Sequence, residues 1–224
     1  MKVFDLNYFI DILPLVLKGL SAAMKMTALS FLGGLILGVL IALIYNSKIK
    51  VLYPLAQLYV SIFRGTPVIA QMFFIYFGLP HFITPLRGMG AFAAASMTIA
   101  LNISSYMSET IRSSISAVEK GQFEAGLSVG MTNFQVARRI ILPQAGRIAL
   151  PSLSNNLIMT LKGTAVAFTI GVTEVMGKAK IEASNSYRYF ECYAAAMLVY
   201  WLVVVVITLF QGKWEKHLNR AYQN

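Results

Sequence analysis

Residues 26–45 run for 20 positions without one charged side chain. A helix that is apolar on every side has no place on the surface of a soluble domain, and about 20 such residues, rising about 1.5 Å each, match the hydrocarbon thickness of a bilayer. Comparable runs recur at about residues 51–77, 91–111, 147–172 and 192–210. Only 12% of the chain is charged and 57% is hydrophobic, whereas soluble domains carry roughly a quarter charged residues. The expectation is an all-α, polytopic membrane protein of about five transmembrane helices. Residues 1–224 then form a single transmembrane domain, with no room for a separate soluble one.

Each run has its own punctuation. Residues 1–25 read as an extracytoplasmic lead-in, with Lys18 and Lys25 on one helical face near the membrane boundary. With Asp5 and Asp11 before the first long apolar run, the N-terminus lacks the short apolar region and small-residue cleavage site of a signal peptide, so the first span is expected to stay. Gly33, Gly34 and Gly38 let a neighbouring helix come close to that span. The second run is interrupted by Arg64-Gly65-Thr66-Pro67, where a residue without an N–H follows a permissive glycine, so the helix bends or breaks and Arg64 faces inward. Pro80, His81, Pro85 and Arg87 then form an outer loop. In the third run Asn102 and Glu109 lie two helical turns apart on one face. The fourth is the most polar, with Pro151, Asn155, Asn156, Lys162, Gly163 and Thr164, and residues 174–191 read as a second outer loop.

The net charge of +10 would suit nucleic acid, but the basic residues are scattered between apolar runs and form no stripe. Counted by side, ten fall with residues 112–146: Lys48, Lys50, Arg112, Lys120, Arg138, Arg139, Arg147, Lys213, Lys216 and Arg220. Five fall opposite: Lys2, Arg87, Lys178, Lys180 and Arg188. The richer side is expected to be cytoplasmic, which puts the N-terminus outside and the C-terminus inside. Cys192 is the lone cysteine, and His81 and His217 are far apart, so no metal set is expected. No serine relay and no phosphate-cradling glycine motif occurs either, so the chain is expected to be no enzyme and to hold no cofactor.

Ionisable residues inside spans are the leading functional candidates. An α-amino acid presents a carboxylate and an ammonium, so its pocket needs a cation or amide donors at one end and an anion or carbonyls at the other. Arg64, Asn102, Glu109 and Asn156 supply those groups from three spans, and Thr66 joins them from the break. The alternative is that Arg64 and Glu109 pair with each other as structural glue. Lys162 caps or snorkels on the same plain reading.

The polar stretch at about 112–146 is different in kind. Glu124-Ala125-Gly126, three residues, Gly130, nine residues, Ile140, one residue and Leu142-Pro143 give a short helix, a sharp bend and a second helix, a shape suited to a groove on another protein. The pattern resembles the cytoplasmic coupling loop of permease subunits of bacterial ABC importers, with Gly126 in place of the second alanine. Arg64-Gly65-Thr66-Pro67 with Gln71, Ser108-Glu109 with Arg112, Ala149-Leu150-Pro151 and Lys162-Gly163-Thr164 extend the resemblance to the polar amino acid subfamily over residues 18–222.

That resemblance implies a type I ABC importer permease fold that moves a polar amino acid into the cytoplasm by alternating access. It also implies a second permease chain, two ATP-binding subunits that hold ATP and Mg, and a binding protein outside the bacterial cell membrane. Members that take up cationic amino acids carry Asn-Glu where this chain has Asn155-Asn156, so the resemblance favours an uncharged polar substrate, cystine, with glutamine or an acidic amino acid next. An ion-coupled secondary transporter acting without an ATPase is the alternative, and the two halves show none of its inverted repeats.

Overall fold

The computed structural model describes residues 4–47 and 49–220, with side chains as far as residue 214. Lys2, Lys48 and Tyr222, and the side chains of Lys216, His217 and Arg220, lie outside the described residues. The chain begins with α1 (Leu6–Leu17), α2 (Leu20–Ser47) and α3 (Leu52–Gly65), then α4 (Val68–Phe73), which runs on through a π turn at Phe74–Gly78. Next come α5 (Ala91–Ser116), α6 (Lys120–Ser128) and α7 (Asn133–Val136), a π turn at Ala137–Ile141, and α8 (Leu142–Gly163) with a 3-10 extension at Thr164–Ile170. The last helices are α9 (Val175–Ser186) and α10 (Tyr189–Arg220), and no strand occurs among the described residues.

Two helices, α2 and α10, are each long and apolar enough to cross a bilayer. Two bent pairs reach that length and hydropathy only when taken together: α3 with α4 at 110°, and the continuous run Asn133–Ile170 with α9 at 45°. Helix α5, the expected third span, has 26 residues and is about 39 Å long, but it is rich in serine. Its place in the bundle explains the serines, because α5 is the central post against which α2, α3, α4 and α8 all pack. Ser96, Ser104, Ser105, Ser108 and Ser114 are buried. Each hydroxyl donates to a carbonyl three or four residues back, at 2.6–2.8 Å. These hydroxyls are therefore satisfied within their own helix.

The glycines of α2 set how closely it meets this post. A Cβ on Gly38 would stand 2.9 Å from Met107 Cβ and 3.2 Å from the Ser104 carbonyl, so α2 lies almost on the α5 backbone.

Two segments read as connectors are helices. Residues 1–25 were expected as a lead-in, but α1 occupies much of that stretch and buries Ile12 and Val16 against α9 and α10. Asp5 caps α1 by accepting from the Tyr8 N–H at 3.2 Å, and its other oxygen pairs with Arg188 at 2.6 Å. The guanidinium holds that carboxyl below its ordinary pKa.

The expected outer loop at 174–191 is mostly α9, which turns Val175, Ala179 and Ala183 onto Cys192, Ala195 and Val199. Glu174 opens α9 fully buried, accepting from the Met176 N–H at 2.9 Å, the Gly177 N–H at 2.8 Å and the Tyr200 hydroxyl. Residues such as Lys178, Lys180, Ser184 and Asn185 made this stretch look like a loop. The four-residue spacing of its small apolar residues was the signal that it is not one.

Candidate functional site

The break between α3 and α4 is as sharp as Pro67 requires. Thr66 is extended at φ −123°, ψ 148°, Pro67 follows at φ −63°, ψ 136°, and the chain restarts at Val68. A helix end leaves carbonyls without partners, and here two side-chain amides reach them. Gln71 Nε2 donates toward the Phe63 carbonyl (3.0 Å), the Thr66 carbonyl (3.1 Å) and Thr66 Oγ1 (2.8 Å). Asn102 Nδ2, from α5, donates to the Phe63 carbonyl (2.9 Å) and to Gln71 Oε1 (3.0 Å). Thr66 and Asn102 thus form one knot with Gln71. Sequence reasoning quoted Gln71 only as part of a pattern. Its signal was an amide in an otherwise apolar run, four residues past Pro67.

Two turns further along α5, Glu109 receives Arg112 at 2.8 Å and Arg64 at 3.8 Å. The Arg64 guanidinium also lies over the Tyr106 ring, 5.4 Å from its centroid. Arg64 and Glu109 therefore do meet, and Arg64 is the more loosely held of the two cations.

Asn156 does not join them directly. It is buried on α8 and donates to Thr110 Oγ1 at 3.3 Å, on another face of α5. Lys162 is exposed at the end of α8. On the α2 side of Glu109 a cavity of about 460 Å³ opens, lined by Tyr45, Asn46, Tyr53, Gln57 and the Glu109–Arg112 pair.

The element at 112–146 resolves into parts. Helix α5 runs on to Ser116, and residues from Asn133 onward belong to the helix that becomes α8. What hangs between is α6 and a tight turn. Gly130 sits at φ +81°, its N–H donates to the Leu127 carbonyl at 2.9 Å, and the Met131 N–H donates to the Gly126 carbonyl at 3.1 Å. This pair of bonds is a Schellman cap, which a residue with a Cβ enters only with strain.

Thr132 and Gln135 then form a reciprocal capping box that starts the next helix. Pro143 cannot offer an N–H to the turn before it, and the π turn at Ala137–Ile141 takes up the misfit, with the Leu142 N–H reaching back to Ala137.

Gly126 is the one buried residue of α6. A Cβ there would lie 2.7 Å from Val136 Cγ2 and 3.1 Å from Ile140 Cδ1, so valine and isoleucine fill the space an alanine would need. Glu124 and Ala125 are exposed on the same short helix, and Pro143 is exposed beyond the turn. Around them Phe123 (38% exposed), Leu127 (41%), Val129 (77%), Phe134 (72%) and Leu142 (54%) stand bare.

Broken apolar helices around a polar post, with a capped elbow whose apolar side chains stand exposed, define a polytopic membrane protein. The comparisons name the class more closely: the chain belongs to the family of binding-protein-dependent transport system inner membrane components, whose model matches residues 9–220. It is 48% identical over 219 residues to a probable amino-acid ABC transporter permease protein, PatM, of Vibrio harveyi, with 98% of each chain covered. It is 38% identical to the L-cystine transport system permease protein TcyL of Bacillus subtilis (strain 168), covering 98% of this chain and 93% of that one. Among solved structures, one described as an amino acid ABC transporter with histidines superposes with a TM-score of 0.88 at 35% identity, over 96% of this chain and 99% of that chain.

Proposed function

We propose that this chain is the transmembrane permease subunit of an ATP-driven importer that moves a polar amino acid into the cytoplasm. The observation that carries the reading is the elbow at α6–α7: a turn held rigid by caps at both ends that presents Phe123, Leu127, Val129 and Phe134 uncovered. Exposed apolar side chains clustered on a rigid support mark a protein-binding surface. Two ATP-binding subunits, with ATP and Mg, occupy that surface through Glu124, Ala125, Gly126, Gly130, Ile140, Leu142 and Pro143. A second permease chain completes the membrane unit, and a binding protein delivers the substrate from the other side. The protein sits in the bacterial cell membrane with its N-terminus outside and its C-terminus and elbow cytoplasmic.

In this reading ATP binding draws the partner subunits together, the elbow moves with them, and the bundle exchanges the side to which it opens. Arg64, Thr66, Asn102, Glu109 and Asn156 form the substrate path, with Gln71 holding the break in shape. Arg64, the loosely paired cation, is the group best placed to take a substrate carboxylate. With Asn156 uncharged, no second carboxylate waits for a cationic side chain. Cystine is the favoured substrate, and the likeness to the cystine permease supports that choice. Glutamine or an acidic amino acid comes next.

Reconstitution in liposomes with the cognate ATP-binding and binding proteins tests the reading. Uptake of radiolabelled cystine is expected only when ATP and both partners are present. Uptake by this chain alone, driven by an ion gradient, would overturn it in favour of a secondary transporter.

A further inference from the structure

The cavity beside Glu109 has chemistry of its own. It is bounded by the end of α2, the start of α3 and the last turns of α5, and its volume is about 460 Å³. Pockets for small ligands run to about 300–1,000 Å³, so one amino acid fits comfortably. Tyr45, Asn46, Tyr53, Gln57 and Ser116 all line it, and none of these side chains makes a hydrogen bond to another described residue. The two tyrosine rings stand edge to face, 5.4 Å apart, as an aromatic wall. Facing them, Glu109 and Arg112 pair at 2.8 Å with 26% and 49% of their side-chain surfaces open.

The contrast with the α3–α4 break is physical. At the break the amides of Gln71 and Asn102 are already committed to the protein's own carbonyls, whereas around the cavity Tyr45, Asn46, Tyr53 and Gln57 are uncommitted and face a carboxylate and a guanidinium that hold only each other and the more distant Arg64.

We propose that this cavity is a second amino-acid site, next to the substrate path and sharing Glu109 with it, in which Arg112 takes the carboxylate of a zwitterion, Glu109 takes its ammonium, and Tyr45, Asn46, Tyr53 and Gln57 hold the remainder. A guanidinium beside a carboxylate is the charge complement of an α-amino acid head, and both contacts are charge-assisted hydrogen bonds. Ile115 and Ser116 of its wall are the last two residues of α5, and only three residues separate them from α6. An occupant therefore touches the stem from which the elbow hangs, and its presence changes the ATPase rate of the assembled transporter. That consequence rests on the proposed function; the binding itself does not.

The test is equilibrium dialysis on the full chain in lipid nanodiscs, without nucleotide or partners. The probes are L-cystine, L-glutamine, L-glutamate, L-arginine, N-acetyl-L-glutamine and the decarboxylated amine of glutamine. At least one intact zwitterion is expected to bind, with N-acetyl-L-glutamine and the amine about tenfold or more weaker than L-glutamine. Gln57→Leu is expected to weaken binding about tenfold, and Gln57→Glu to weaken it further by setting a second carboxylate against the ligand's own. Thr208→Val, exposed on α10 away from the cavity and the substrate path, should leave this binding in place. Equal binding by wild type and both Gln57 variants overturns the proposal, as does an equal loss of binding in Thr208→Val, or binding by none of the zwitterions. Failure here leaves ATP-driven uptake standing, and failed uptake with intact binding would overturn the transport reading alone.

Discussion

A helix that stops at Gly65 and restarts at Val68 abandons main-chain carbonyls at a place where no water is guaranteed, and each such group left bare in a dry setting costs free energy. Gln71 and Asn102 answer that cost with three hydrogen bonds to the Phe63 and Thr66 carbonyls and one to each other. Gln71→Leu keeps the side-chain volume and removes the donors. It is expected to lower the stability of the chain by about 2 kcal/mol, read as a thermal midpoint about 4–8 °C lower in detergent. Gln71→Glu, which accepts but cannot donate while ionised, should be worse. An unchanged midpoint for both variants would show that other groups satisfy the broken turn. The sequence made the break itself legible, through Gly65 and Pro67. It left the binding partners across the break hidden, because Gln71 and Asn102 are 31 positions apart and only the packing of α4 on α5 brings them together.

At the scale of elements, the elbow depends on how α6 lies on α7. Gly126 departs from the alanine of the family pattern, and the reason is that Val136 and Ile140 already occupy the space a methyl group would take. Gly126→Ala gains about 1 kcal/mol of helix propensity but meets a β-branched side chain that has little rotamer freedom to move aside, and overpacking of this kind costs about 1–3 kcal/mol. The single variant is therefore expected to bind the ATP-binding subunit several-fold more weakly, measured by co-purification or by interferometry on the solubilised chain. The pair Gly126→Ala with Val136→Ala should restore binding, a coupling that neighbours in contact show and distant sites do not. If the two substitutions simply add, the elbow is not set by this contact.

Elements also mark where sequence patterning failed. The apolar run of α2 and the breaks around it were plain, whereas α1 and α9 were read as a lead-in and a loop. Both helices have 12 residues, too few to cross a bilayer. Their buried stripes of Ile12 and Val16, or Val175, Ala179 and Ala183, are narrow enough to be lost among exposed polar neighbours. Helix α5 shows the reverse case: its serines weaken a hydropathy signal, yet central packing makes it the most shielded post of the bundle.

For the whole molecule, the orientation proposed from the charge count has a direct check. Cys192 is fully buried, so Cys192→Ala gives a background without reactive thiol. Ser128→Cys on the elbow and Ser184→Cys on α9 then place one exposed reporter at each end. A membrane-impermeant maleimide applied to intact cells is expected to label the α9 reporter and to reach the elbow reporter only after the membrane is opened. The reverse labelling would invert the topology and remove the elbow from the reach of cytoplasmic ATP-binding subunits.

One feature of the backbone bears on how any such grip would be felt. From Asn133 to Ile170 the chain is helical without interruption, passing through a π turn and ending in a 3-10 turn. That is a strut about 55 Å long, and it contains no coil in which a displacement can be lost. A push at the capping box of Thr132 must therefore emerge near Ile170 as tilt or travel. Two of the molecule's joints are knuckles, one at Gly65–Pro67 and the other at Gly171–Thr173, where Gly171 turns at φ +93°. The molecule is a lever with its joints already placed, and stiffening either joint would leave the handle free to be seized while the far end stays still.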